Sequence, residues 1–120
     1  ACVAGQKVIG VPTDVRDFQS CADLQAAVAK AFPDTPISFL FNNAGIAGGG
    51  SGKVINGPPD AWQKVFSVNT FGVVNMVKAF LPDIIARPLV SGKPVRVVNT
   101  SSVVGLVNHD PSPCVMIVMI

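Results

Sequence analysis

The chain of 120 residues contains no tyrosine and no glutamate, and only 13% of its residues are charged, against about 25% in an average soluble domain. Without tyrosine no phenol is available as a proton donor or acceptor. Without glutamate, and with Asp as its one acidic residue type, little of the chain is suited to facing water by itself; this composition fits an interior segment of a larger domain. The formal charge of +2 comes from scattered Lys and Arg. With no basic run or stripe, there is no electrostatic case for nucleic acid or for an anionic membrane surface.

The cysteines Cys2, Cys21 and Cys114 form an odd set without Cys-x-x-Cys or His-containing ligand spacing, which argues against a disulfide framework and against a zinc or other metal site. Reduced thiols in a cytoplasmic setting are the expectation. The opening Ala1-Cys2-Val3-Ala4-Gly5 is too short for a signal peptide, and Cys114 to Ile120 falls far short of the roughly 20 apolar residues that cross a bilayer. Two catalytic signatures also fail. Ala47 to Val54 resembles a phosphate loop but lacks Gly at 47 and Ser or Thr at 54, and no Gly-x-Ser-x-Gly elbow accompanies Ser102, His109 and Asp110. Asn99-Thr100-Ser101 matches a glycosylation acceptor only formally, because it ends a core strand.

What is present is a repeated arrangement of apolar runs closed by small polar residues. Lys7 to Val11 reads as a strand leaving through the turn-rich Pro12-Thr13-Asp14-Val15-Arg16-Asp17. Ser20 is then a candidate N-cap with Asp23 at N3; Leu24, Ala27, Val28 and Ala31 follow at helical spacing until Pro33. Ile37 to Phe41 has the continuous apolar character of a strand covered on both faces, and it runs straight into Asn42-Asn43-Ala44-Gly45. After the glycine-rich stretch 48–52, Pro58, Pro59 and Asp60 suit a first helical turn. Trp62, Val65, Phe66, Asn69, Val73, Met76, Val77, Phe80, Ile84 and Ile85 then mark one broad face of a long helix, expected to bend at Pro82. Val95 to Asn99 is a third strand, closed by Thr100, Ser101 and Ser102. Strands alternating with helices imply an α/β, doubly wound parallel sheet whose ligands bind at the strand carboxyl ends.

Thr13-Asp14-Val15, Asn42-Asn43-Ala44-Gly45, Val68-Asn69-Thr70-Phe71-Gly72 and Val98-Asn99-Thr100-Ser101-Ser102-Val103-Val104-Gly105 resemble four successive motifs of the short-chain dehydrogenase/reductases. Taken singly, Asp14 also reads as a turn or cap, residues 43–45 as a tight turn, Asn69 as a polar residue in a helix interface and Ser102 as a strand cap. Their shared order carries the resemblance. It covers a family-like core of residues 7–108 within a single partial domain of residues 1–120, leaving an atypical tail of 109–120.

The resemblance implies a partial Rossmann fold holding strands 3 to 5 of the family's order 3-2-1-4-5 and two intervening helices. It implies NAD or NADP as cofactor and hydride transfer between a small-molecule alcohol and a carbonyl. Asp14 would accept from the adenine amino group and the Val15 N–H would face a ring nitrogen; Asn43, Ala44 and Gly45 would line the ribose and the bridge toward nicotinamide. Asn42 would tie neighbouring strands together. Asn69 and Ser102 would be the catalytic members present, Ser102 bonding the reacting oxygen and Asn69 helping, through its helix backbone, to hold a water. The equivalent of helix 59–85 joins subunits in homo-oligomeric relatives.

Two departures from the family pattern shape the remaining expectations. The family's proton donor is a Tyr paired with a Lys one helical turn away, about a dozen residues beyond the Ser, and Asp110 to Ile120 contains neither. Residues 1–6 leave no space for the family's glycine-rich phosphate loop. The chain is therefore expected to be an inactive fragment by itself, with poor autonomous stability. The alternative is a non-catalytic truncated subunit, or a misread fragment, that only packs against an intact relative.

Overall fold

A computed structural model describes residues 5–47, 58–86 and 94–101. Five elements follow one another: α1 (Phe18–Ala31), β1 (Phe39–Asn42), α2 (Pro59–Asn69), α3 (Phe71–Ala86) and β2 (Arg96–Asn99). Ser102, the glycine-rich loop and the tail from 109 lie outside the described residues.

The first helix starts earlier than the sequence suggests. Asp17 is its N-cap, accepting from Gln19 N at 3.0 Å, while the Ser20 hydroxyl turns back to accept from Asp14 N at 2.9 Å. Asp and Ser three residues apart can each serve as the cap; here the earlier one does so and the later one fastens the upstream turn. At the other end the Phe32 N–H still bonds Val28 O, but Phe32 has left the helix with φ −131° and ψ 62°, because the Pro33 ring disfavours helical backbone at the residue before it.

The segment Lys7 to Val11 carries no strand pairing, contrary to the sequence reading. A strand exists through its ladder partner, and among the described residues the ladder runs between β1 and β2 alone. It runs instead along the end of α1, where the Lys7 ammonium bonds Ala31 O and sits 5.1 Å from the Phe32 ring centroid.

β1 and β2 form a two-stranded parallel sheet with Phe39 opposite Arg96 and Asn42 opposite Asn99. Backbone bonds Arg96 N to Ser38 O and Thr100 N to Asn42 O, both 3.0 Å, close its ends. Burial along β1 alternates: Leu40 and Asn42 are buried, whereas Phe39 and Phe41 are 49% and 62% exposed and stack on each other at 5.7 Å. The sequence pointed to a strand covered on both faces; in this structure β1 has one covered face.

The single long helix expected after Pro59 is divided at Thr70 into α2 and α3, with Pro82 lying inside α3. Thr70 N bonds Phe66 O and Val74 N bonds Thr70 O, but the i to i+4 ladder skips the residues between, so the Asn69 carbonyl has no helical bond from Val73 N. The break divides a 27-residue apolar span, Asp60–Ala86, long and apolar enough by length and composition to cross a bilayer. A core helix of a soluble protein passes the same test, and Asp60, Lys64, Lys78 and Asp83 within the span would be costly in hydrocarbon.

α1 packs against α3, with Cys21 of the first and Phe80 of the second buried, the Gln25 amide donating to Asp83 and the Lys78 ammonium 5.1 Å from the Phe18 ring centroid. Among the described residues the buried apolar side chains are Cys21, Leu40, Val65 and Phe80. Each large one contributes roughly 1.5–3 kcal/mol, so the core is thin.

Candidate functional site

The carboxyl end of β1 gathers most of the candidate residues. Parallel strands leave their last carbonyls and the following loop open to a ligand, and here the loop is built from Asn43, Ala44 and Gly45, all exposed. Asn42, the last strand residue, donates through Nδ2 to Asn99 Oδ1 at 2.9 Å, the strand tie expected of it. One step further, the Thr100 hydroxyl donates to Asn43 Oδ1 at 2.8 Å. Two successive side-chain bonds between the strand ends thus hold the Asn43 backbone over the sheet edge.

Asn69 closes the same loop from the helix side. Its Oδ1 accepts from Ile46 N at 2.8 Å and its Nδ2 donates to Ile46 O at 3.0 Å, a two-point grip on one residue's backbone. A Cβ at Gly45 would lie 3.6 Å from Asn69 Oδ1, so the glycine lies close against the clamping amide. The interruption at Thr70 leaves the Asn69 carbonyl outside the helical ladder. Asn69 therefore serves the loop with its side chain, while its carbonyl stands at the interruption between α2 and α3.

Asp14 and Val15 sit on the turn before α1. Arg16 wraps back on Asp14: its backbone N–H reaches Oδ1 at 3.0 Å, Nε lies 2.9 and 3.1 Å from the two oxygens, and a terminal guanidinium nitrogen lies 2.6 Å from Oδ2. These hydrogen bonds, first from the side chain and then from the backbone of Arg16, pull the Asp14 carboxyl down to about 2 despite its exposure. Both groups are about half exposed, so the pair is a weak one that an incoming donor can displace.

A cavity of about 60 Å³ joins the turn to the loop, lined by Val15, Phe41, Asn42, Asn43, Ala44, Gly72, Val73 and Met76. It unites Val15 with Asn43 and Ala44; Asp14 lies beside it on the turn, and Gly45 and Asn69 meet each other at the far end of the loop. Asn42 Oδ1, buried among these residues, has no hydrogen-bond partner among the described residues. Beneath the turn the buried Cys21 thiol is pushed up, by desolvation first and then by the charges of Asp17 and Asp14, so it is a packing group and not a nucleophile.

Two residues in this region have roles that the sequence reading did not assign: Gly72 stood only as the end of the Val68 to Gly72 motif, and Asn75 was not singled out. Gly72 is buried against Val15, where a Cβ would come within 2.7 Å of Val15 Cγ2, and Asn75 Nδ2 donates to Val15 O at 2.9 Å and Arg16 O at 3.2 Å. Their signal was a glycine and an amide three residues apart within the otherwise apolar stretch 71–77.

This geometry has known counterparts. A family model described as short chain dehydrogenase matches residues 1–114. Oxidoreductase UcpA of Salmonella typhimurium is 37% identical over 108 residues, covering 89% of this chain and 37% of that protein. A Xanthobacter autotrophicus protein described as inactive 2-(S)-hydroxypropyl-CoM dehydrogenase 2 is 35% identical over 107 residues, covering 89% of this chain and 43% of its own length. Among solved structures, a short chain dehydrogenase/reductase from Burkholderia phymatum in complex with NAD superposes with a TM-score of 0.79 at 34% identity, covering 94% of this chain and 37% of that one. The chain thus spans about two-fifths of the length of the proteins it matches. With the family model running through every motif at the β1 and β2 ends, and with relatives above 30% identity over most of the chain, this polypeptide belongs to the short chain dehydrogenase family, whose cofactor is NAD or NADP.

Proposed function

We propose that this chain forms the adenine-facing and ribose-facing wall of an NAD(P) site in an oxidoreductase that moves hydride between an alcohol and a carbonyl. The observation that carries the reading is the loop Asn43 to Ile46, held open at the β1 end by Thr100 on one side and Asn69 on the other. No side chain on residues 43–45 is larger than an amide, so backbone can approach a bulky ligand closely. Asp14 would accept from the adenine amine by replacing part of the Arg16 fork, Val15 N–H would face a ring nitrogen, and Asn43, Ala44 and Gly45 would line the ribose. When bound, the nicotinamide supplies or accepts the hydride.

The other groups act around that transfer. Asn69, with its carbonyl outside the helical ladder, would hold a water near the reacting end, and Ser102 would donate to the substrate oxygen as charge develops there. Proton transfer is a separate task. A phenol requires a neighbouring cation to act near neutrality, and these residues include no tyrosine. We therefore expect the 120 residues by themselves to be inactive and to act, in a cytoplasmic setting, as part of a single Rossmann-type domain. NADH or NADPH mixed with the purified chain and a panel of aldehydes and ketones should show no loss of reduced nicotinamide absorbance. Measurable turnover would sink this reading of the proton donor.

A second reading is favoured by the outer side of α3, where Phe71 is 60% and Ile85 73% exposed. A non-catalytic subunit would bury this face, within helix 59–85, against an intact relative. Co-expression with a full-length family member should then yield a complex that Ile85→Lys abolishes, whereas independent purification of the two chains would remove the idea.

A further inference from the structure

The turn that would read adenine is held from α3 and not only from its own helix. Asp14 N is bonded by the Ser20 hydroxyl at 2.9 Å and Asp14 O by Asp17 N at 3.1 Å, both local contacts. The next two carbonyls, Val15 O and Arg16 O, converge on one amide, Asn75 Nδ2, at 2.9 and 3.2 Å, from 60 and 59 residues away in sequence. Two carbonyls offer only acceptors, so the NH2 of Asn75, and no carboxylate or hydrocarbon of similar size, can satisfy both. One helical turn earlier Gly72 presents bare backbone, and the Val15 side chain occupies the space that a Cβ would take. Val15 is thus fixed through its side chain by Gly72 and through its carbonyl by Asn75. Its own N–H lies in the peptide group between the Ser20 anchor and the Asn75 anchor.

We infer that Asn75 is a positioning residue for adenine, aiming the Val15 N–H and the Asp14 carboxylate at the ring so that adenine is preferred over guanine. The inference rests on the reading of this turn as the adenine end of the cofactor site. Adenine offers a donor amine and an acceptor ring nitrogen to the Asp14 and Val15 pair; guanine presents a carbonyl and an N–H at the corresponding positions, opposite in polarity. Alignment of the pair therefore controls the ratio of the two affinities. A loss of general stability would weaken both equally.

The test titrates AMP and GMP into the full 120-residue chain, following amide resonances, with urea unfolding as the check on folding. The native chain should bind AMP more tightly than GMP. Asn75→Ala should lower AMP affinity by about tenfold, ~1.4 kcal/mol, and bring the AMP to GMP ratio toward unity. Asn75→Gln, which keeps the NH2, should recover part of the preference. If Asn75→Ala does not fold, Asn75→Ser, whose hydroxyl is too short to span both carbonyls, reads the same ratio. A folded variant with an unchanged ratio overturns the role of Asn75 and leaves the adenine site standing. A native chain without AMP preference overturns the adenine reading of the turn, and the inference with it.

Discussion

At Asp14 the fold holds a carboxylate ionised without burying it. The pKa near 2 lies below the ordinary 3.8 because the Arg16 side chain and backbone N–H bond the charged form. The charged form is thus favoured by folding above the ordinary value, and that linkage disappears as pH falls through about 2. Carboxyl resonances should report an Asp14 midpoint near 2, and Arg16→Ala should return it toward 3.8. From neutrality down to about pH 4, AMP binding should therefore vary little through this group. Gly72 makes a second residue-scale case, in which two effects oppose each other. Alanine gains up to about 1 kcal/mol of helix propensity, but its Cβ would meet Val15 Cγ2 at 2.7 Å and Val15 Cβ at 3.1 Å, and a β-branched side chain has little rotamer freedom with which to yield. Overpacking of this kind costs about 1–3 kcal/mol, so Gly72→Ala should destabilise the chain in urea unfolding. Val15→Ala in the same chain should relieve most of that cost.

At the scale of elements, what was legible in the sequence was the strand followed by small polar residues. β1 and β2 both end where the apolar runs meet Asn42 and Asn99, and the tie between those two side chains follows from two amides at matching strand ends. Less legible was anything set by a partner far away in the chain. Lys7 to Val11 has strand composition but no ladder, and the choice of Asp17 over Ser20 as cap depended on where the Asp14 amide needed an acceptor. Pro82 marked the place for a bend, whereas the interruption of the ladder at Thr70, beside the amide that grips Ile46, carried no proline or glycine to announce it. Asn69→Ala should release that grip. The Ile46 amide should exchange faster with solvent, with about 0.5–1.5 kcal/mol lost in unfolding, because the two freed backbone groups are exposed and can bond water; Asn69→Asp, which keeps the acceptor for Ile46 N, should lose less.

On the scale of the molecule, the described residues form a sheet of two strands with one covered face. Phe39, Phe41 and Val97 remain exposed, and a strand edge beside exposed aromatics is a template for further pairing. The chain should self-associate with rising concentration in sedimentation velocity runs, and Phe41→Lys should reduce this while leaving Leu40 and its buried face intact. The parallel pairing has a further consequence during synthesis. The side chains of Asn42 and Asn99 bond across 57 residues, and at about 5–20 residues per second the ribosome makes β1 roughly 3–11 s before its partner strand exists. Through that interval Phe39 and Phe41 lie on a segment whose ladder partner has not been made, open to a chaperone or a neighbouring polypeptide before β2 can pair with it.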